Sequence, residues 1–215
     1  NVTKKGYGYA IRAGIDASVG EYILIADADN SYDFNELSNF YNKINVGFDI
    51  VQGCRLPSGG GKIEKDAMPV THRLIGNPFF SFISRILFKL PFNDVYCGMK
   101  IIRREFFEKI DFFSGGMVWC LEILVKSKVN SAKSSELSIT LHKDGRINGK
   151  SHLRTISDGL RTIKLILTCS PKWIYILPSI LLLLIPTLLI IYSFINGNFF
   201  IFINNNLINL FTSTF

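Results

Sequence analysis

The sequence predicts an α/β fold followed by a long uncharged apolar segment, and three observations lead there. Helix-like and strand-like stretches alternate through residues 1–150, the rhythm of a sheet flanked by helices. Residues 22–29 form an Ile- and Leu-rich run that stops at two carboxylates, Asp27 and Asp29. Such a run reads as a buried strand of the kind found in α/β sheets. Finally, no Asp, Glu, Lys or Arg follows Lys172, although charges are mixed throughout the part before it.

The bulk properties narrow the class. The 215 residues suffice for one domain with a sizeable core and something extra. The chain carries a net charge of +7, a pI of about 9.2 and a mean hydropathy of +0.26. Basic and hydrophobic together point to a membrane surface or phosphate-bearing substrates rather than to nucleic acid. Cys54, Cys97, Cys120 and Cys169 are far apart and form no CxxC pair, which argues against a zinc site or a disulfide framework and for isolated buried thiols. The first residue is Asn1 rather than Met and no signal peptide precedes the fold, so the expectation is a piece of a longer chain lacking its natural N-terminus.

The elements follow in order. Tyr7, Ile11 and Ile15 share one face of a helix over 7–18, and the glycines at its start, Gly6 and Gly8, allow backbone N–H groups to approach a phosphate. After the strand at 22–29, Asp33 and Glu36 have the spacing of a capping box for a helix to residue 44. Residues 48–53 are the next strand, ending at Cys54 and Arg55. Residues 58–62 are a glycine-rich loop, either a lid or a connector. Asn77 and Pro78 suit a helix start, and Phe79, Phe82, Ile83 and Ile86 then form a stripe that is core in a globular domain or lies on a bilayer. Asp94 precedes a strand-like run over 95–102, and a short helix covers 103–110. A helix to residue 128 carries Glu122 among Trp119, Leu121, Ile123 and Leu124, where a carboxylate needs a partner or a job. Residues 136–141 alternate like a strand, and a basic turn runs over 142–146.

The C-terminal part reads differently. Over 154–167, Ile156, Leu160, Ile163 and Leu167 make one helix face and Arg154, Asp158, Arg161 and Lys164 the opposite one, the pattern of an interfacial amphipathic helix. Residues 173–194 are uncharged, apolar and long enough to cross about 30 Å of hydrocarbon. Trp173, Tyr175 and Tyr192 lie near the ends of that span, where aromatic belts occur. Lys and Arg crowd its N-terminal side, which places that side in the cytoplasm. Residues 199–210 resemble an incomplete second span. The expected organisation is therefore 1–150, a catalytic domain; 151–172, an interfacial helix; and 173–215, membrane-spanning sequence.

The chemistry concentrates at strand ends. In open α/β sheets, ligands bind beyond the carboxyl ends of the strands. In an extended chain Asp27 and Asp29 point the same way, and two converging carboxylates make a hard oxygen site for Mg²⁺ or Mn²⁺ completed by substrate phosphates. The alternative is a solvated turn. Arg55 lies at the same edge and either meets a phosphate or forms a salt bridge.

These pieces together resemble family 2 glycosyltransferases with a GT-A fold, in the subgroup of dolichyl-phosphate mannose and glucose synthases and bacterial polyprenyl-phosphate glycosyltransferases. Asn1, Lys5-Gly6 and the stretch from Ala10 to Gly14 match the family's glycine-rich segment, and residues 22–29 match its strand ending in Asp-x-Asp. Gly53-Cys54-Arg55 matches its Gly-Ser-Arg, and Asp94 with Cys97-Gly98-Met99-Lys100 matches its Asp-x-x-Cys-Gly-Phe-Arg. Glu122 fits its helical acid, and Arg146 with Ser151 fits its Arg…Ser-Lys loop. The resemblance implies a mixed GT-A sheet and a membrane-attached inverting enzyme. That enzyme would move a single hexose from a UDP- or GDP-sugar to a polyprenyl phosphate on the cytoplasmic face. It implies Asp29 on the metal, Asp27 at the nucleotide-sugar end of the metal site, and Asp94 and Glu122 as catalytic acids, Asp94 being a base or an acceptor-orienting carboxylate. Lys5, Gly6, Arg55, Arg146, Ser151 and Arg154 would bind donor or phosphate groups. The sequence departs from the family at Ser31, where a Gln is usual, and at His152, where a Lys is usual, with Arg154 as a substitute. The Gln-x-x-Arg-Trp signature of processive synthases is absent. A nucleotidyltransferase of similar build and a non-catalytic membrane module are the competing readings.

Overall fold

The computed structural model describes residues 4–145, 155–170 and 172–196. The chain divides into two compact units, Asn1–Cys169 and Ser170–Phe215.

The first unit is a mixed α/β layer structure. Its elements are α1 (Tyr7–Asp16), β1 (Tyr22–Ile25), α2 (Leu37–Asn45), β2 (Ile50–Cys54), β3 (Lys62–Ile63), α3 (Asn77–Phe88), β4 (Lys100–Arg103), α4 (Arg104–Phe107), α5 (Trp119–Val129), β5 (Ser134–Ser138), β6 (Thr140–Leu141) and α6 (Thr155–Cys169). The main sheet has the order β1-β4-β2-β5, and β3 pairs with β6 in a second, smaller sheet. β4 runs antiparallel to both β1 and β2, with Leu24 opposite Ile101 and Ile50 opposite Ile102, whereas β2 and β5 are parallel. β1, β2 and β5 therefore run the same way, and their carboxyl ends share one sheet edge with the amino end of β4.

Burial explains the arrangement. Ile50, Val51 and Ile102 are fully buried and Ile101 nearly so. On one side of the sheet Val51 and Ile101 pack with Tyr32, Phe40, Ile44, Met99 and Leu141. Every residue of α5 from Trp119 to Val125 is buried, Glu122 included, so this helix is covered around its whole circumference rather than along a stripe. β1 alternates between half-buried and buried residues, the pattern of a strand with one covered face.

Several boundaries differ from expectation for identifiable reasons. β1 stops at Ile25, because the chain curls after Ala26: Asn30 has φ 64 and the Asp29 carboxylate accepts the Ser31 N–H at 3.2 Å. The alternation argument thus does not extend to Asp29. The capping box is half formed. Asp33 accepts the Asn35 N–H at 2.9 Å, but Glu36 turns to the Asn39 amide at 2.7 Å instead of reaching back. α3 does not begin at an Asn77 cap: Asn77 is itself helical and continues the turn His72–Gly76. The glycine-rich loop is a fixed connector, with the Gly60 and Gly61 N–H groups bonded to the Pro57 and Leu56 carbonyls. A Cβ on Gly61 would lie 2.2 Å from the Cys54 carbonyl oxygen, so only glycine passes there. The strand expected over 136–141 is split at Ile139 between two sheets.

Cys54, Cys97 and Cys120 are buried and unpaired. Burial pushes the Cys97 thiol up to about 12 and raises those of Cys54 and Cys120 as well, so all three are protonated and unreactive at neutral pH.

α6 falls in the first unit. In the second unit, the turn Lys172–Ile176 leads into α7 (Leu177–Ile195). This 19-residue helix has a mean hydropathy of 2.3 and is long and apolar enough to cross a membrane. Pro178 falls in its first turn and Pro186 in its interior, as spanning helices tolerate. The second span expected over 199–210 lies outside the described residues.

Candidate active site

The shared sheet edge gathers several of the residues singled out from the sequence. Asp27 follows β1, Arg55 follows β2, and the turn carrying Cys97 and Gly98 precedes β4. Gly98 is where the acid that follows β1 meets the turn before β4. A Cβ on it would lie 2.5 Å from Asp27 Oδ2 and 3.0 Å from the Tyr32 hydroxyl, so the missing side chain is what lets the Asp27 carboxylate rest on the turn. The Gly98 N–H donates to the Tyr32 hydroxyl at 2.9 Å. Burial raises the Tyr32 phenol well above its ordinary value, so Tyr32 is a neutral bracket beside Asp27.

Two polar residues fix that turn from beneath. Gln52 and Lys100 face each other across β2 and β4 and are fully buried. Gln52 donates to the Asp94 and Cys97 carbonyls at 3.1 Å each. Lys100 Nζ donates to the Cys97 carbonyl at 2.7 Å and to that of Gly98 at 3.3 Å. Buried polar groups need partners of this kind.

Arg55 and Asp94 form a buried pair. Arg55 Nε donates to Asp94 Oδ2 at 2.7 Å and Nη2 to Oδ1 at 2.9 Å. The same carboxylate accepts the Arg55 N–H at 3.1 Å and the Tyr96 N–H at 3.2 Å. Burial alone would lower the guanidinium, but the Asp94 charge outweighs it and holds Arg55 well above its ordinary value. The salt bridge foreseen for Arg55 is therefore present, but buried and bidentate rather than superficial. With four donors on its two oxygens, Asp94 has the geometry of a positioning carboxylate and not that of a free base. Glu136 on β5 supports it in turn, accepting the Asn93 and Asp94 N–H groups at 2.8 and 3.0 Å and the Asn93 amide at 2.8 Å.

Asp29 sits two residues beyond Asp27 on the loop after β1. Ser31 Oγ donates to Asp29 Oδ1 at 2.6 Å, so the serine that replaces the family's usual Gln orients the acid. The loop is stitched to the segment after β6: the Gly145 N–H donates to the Asp29 carbonyl at 2.7 Å and the His142 N–H to that of Ser31 at 2.9 Å. The basic turn thus begins against the acidic loop. Arg146, Ser151 and Arg154 lie outside the described residues.

Glu122, the helical acid expected to be catalytic, is held by a set of close contacts. It is fully buried, accepts the Phe113 and Ser114 N–H groups at 2.8 Å each and pairs with Lys126 at 2.9 Å. Lys126 also reaches the Asp111 carbonyl. Glu122 staples the loop over 112–115 to α5. That loop then receives α1: the Gly8 N–H donates to the Gly115 carbonyl at 2.9 Å, and a Cβ on Gly6, whose φ is 154, would lie 2.3 Å from the same oxygen. These glycines admit a neighbouring backbone, which replaces the expected phosphate approach at Gly8. Lys5 is exposed beside them. Glu122→Ala leaves two part-buried N–H groups without acceptors, at about 1–3 kcal/mol in all. A clear fall in melting temperature is the expected result, and an unchanged one would show that the staple contributes nothing.

Among the described residues no group of three or more His, Cys, Asp or Glu side chains is placed to hold a metal. Asp27 and Asp29 offer hard carboxylate oxygens, the donor set of a cation that takes its remaining ligands from a substrate diphosphate. The residues present fit such an ion.

Of the residues described here, Tyr32, Gln52, Lys100 and Glu136 were not foreseen as parts of the site. Gln52 carried a signal: it is the lone uncharged polar side chain of an apolar strand, and such a residue needs a partner.

The glycosyl transferase family 2 model matches residues 1–111. The chain belongs to glycosyl transferase family 2. It is 30% identical over 176 residues to the low-salt glycan biosynthesis hexosyltransferase Agl6 of Haloferax volcanii, covering 81% of this chain and 41% of that protein. It is 27% identical over 135 residues to the dolichyl-phosphate hexose transferase of the same organism, covering 63% of this chain and 56% of that protein. The chain thus spans about half the length of these relatives. The glucosyl-3-phosphoglycerate synthase of Mycobacterium tuberculosis, solved with Mn²⁺, UDP-glucose and phosphoglyceric acid, superposes with a TM-score of 0.54 at 12% identity over 78% of this chain and 55% of that one. The fold of this family 2 chain is accordingly the GT-A-like mixed α/β fold.

Proposed function

We propose that this chain carries the catalytic core of a membrane-attached inverting glycosyltransferase. It moves one hexose from a UDP- or GDP-sugar to a polyprenyl phosphate on the cytoplasmic face. The observation that carries the reading is the single sheet edge holding Asp27 on the Gly98 turn and the Arg55–Asp94 pair beside it, in a family 2 fold. The hexosyltransferase names of the relatives support the reaction class. The dolichyl-phosphate relative and α7 support a lipid-phosphate acceptor at a membrane.

Asp29 and Asp27 hold a Mg²⁺ or Mn²⁺ ion, which when bound supplies charge neutralisation for the departing diphosphate. Ser31 holds Asp29 in one orientation. Arg55, kept charged and aimed by Asp94, meets a phosphate of donor or acceptor, with Lys5, Gly6, Arg146, Ser151 and Arg154 as further phosphate contacts. The acceptor phosphate is already an anion near neutral pH, so the reaction needs no strong base, in keeping with a fully hydrogen-bonded Asp94.

The test is transfer of radiolabelled hexose from UDP- and GDP-sugars to polyprenyl phosphate by the full chain in vesicles with Mn²⁺. Lipid-linked sugar is expected from one donor class and is expected to fall to background in Asp29→Ala. Equal product from Asp29→Ala would remove the acid from the reaction, and release of pyrophosphate would indicate nucleotidyl transfer instead.

A further inference from the structure

α3 is built inside out. Its serines face the protein: Ser81 is 3% exposed and Ser84 is fully buried, and Ser81 Oγ accepts the Val95 N–H at 3.2 Å. Three of its large apolar side chains face away, Phe79, Phe82 and Ile86 each being more than half exposed. Ile75, on the turn leading into the helix, extends this stripe, since positions 75, 79, 82 and 86 are spaced by four, three and four residues. Leu74 and Val70 widen it. A helix facing water shows the reverse pattern, and a contiguous exposed apolar patch of this kind marks a contact surface.

Charge identifies what the surface meets. Residues 67–93 contain Arg73, Arg85 and Lys89 but no Asp or Glu. The exposed acid Asp66 precedes this segment, but within it the apolar side chains are accompanied only by cations, which suits an anionic lipid interface. A second copy would bring like charges together, which opposes pairing. α3 also shares a flank with α6. The Phe80 ring packs on Tyr96 at 6.1 Å, and the Tyr96 hydroxyl bonds to Thr162 of α6. α6 exposes Leu160 and Ile163, with Arg161 and Lys164 beside them in sequence.

We propose that the outward face of α3 docks the first unit on an anionic bilayer surface, as a contact additional to α7. The inference rests on the membrane reading above, and its test separates the two. The full chain, as parent and as Phe82→Trp, is reconstituted into phosphatidylglycerol–phosphatidylcholine vesicles with plain or brominated acyl chains. Val46→Trp, at an exposed position after α2, serves as control, and the parent emission from Trp119 and Trp173 is subtracted. An interfacial side chain lies about 5–10 Å into the headgroup–acyl boundary, so Phe82→Trp emission is expected to fall by about half with brominated chains. Val46→Trp emission is expected to hold, and quenching at residue 82 is expected to weaken in purely zwitterionic vesicles. Protein that floats with the vesicles while Phe82→Trp stays as bright as the control overturns the docking face alone. Protein that does not float overturns the membrane reading with it. An unquenched Phe82→Trp that cross-links between copies gives the face to a second copy and overturns the lipid assignment.

Discussion

Asp94→Ala is expected to cost about 3–5 kcal/mol of stability, the penalty for leaving a buried charge without its partner. The lost carboxylate holds both ends of the Arg55 guanidinium and two backbone N–H groups. For a chain of this size that loss lowers the melting temperature by about 10 °C. The informative companion is the double variant Arg55→Met/Asp94→Leu, because replacing both members of a buried ion pair with apolar residues removes the uncompensated charge. It should recover the charge contribution. It should remain below the parent by about 1–3 kcal/mol for each of the orphaned Arg55 and Tyr96 N–H groups. Sugar transfer should be lost in both variants, since the double variant has no guanidinium and the single one no longer holds it in place. Thermal denaturation and transfer assays on the same preparations check this. A single variant as stable as the parent would mean that the pair does not organise this edge.

Gly98→Ala is expected to act the other way round, with a large effect on activity and a small one on stability. The added Cβ would lie 2.5 Å from Asp27 Oδ2 and 3.0 Å from the Tyr32 hydroxyl. The Asp27 side chain is half-buried and makes way by moving. A displacement of about 1 Å at a catalytic group is enough for a loss of about 10²-fold. The expected result is that loss in turnover with a melting temperature close to that of the parent. Full activity in Gly98→Ala would show that the position of Asp27 on this turn does not matter.

What the sequence made legible was local. The acids at the end of β1, the arginine at the end of β2 and the apolar α7 each follow from a contiguous run of residues. Pairing across long separations was not legible. β4 inserts antiparallel between β1 and β2, and no periodicity within residues 95–102 indicates which strands flank them. The roles of Lys100 and Glu136 depend on that insertion. Lys100 is buried because it lies opposite Gln52, and Glu136 reaches Asn93 from a strand more than forty residues away. Glu122 illustrates the opposite case. Its apolar neighbours rightly demanded a partner, but the partners are backbone N–H groups of a loop about nine residues upstream. Residue types alone do not distinguish such a staple from a catalytic acid. The stripe on α3 was equally visible in the sequence. Its direction was decided only by which side of the helix the buried serines occupy.

The central claim is that the acids at this edge hold a divalent cation for a nucleoside diphosphate. Calorimetric titration of the full chain with UDP and with GDP, in Mn²⁺ and again in EDTA, tests it most directly. Binding of one nucleotide that requires Mn²⁺ and disappears in Asp29→Asn is the predicted result. Equal binding in EDTA, or binding undiminished in Asp29→Asn, would contradict it.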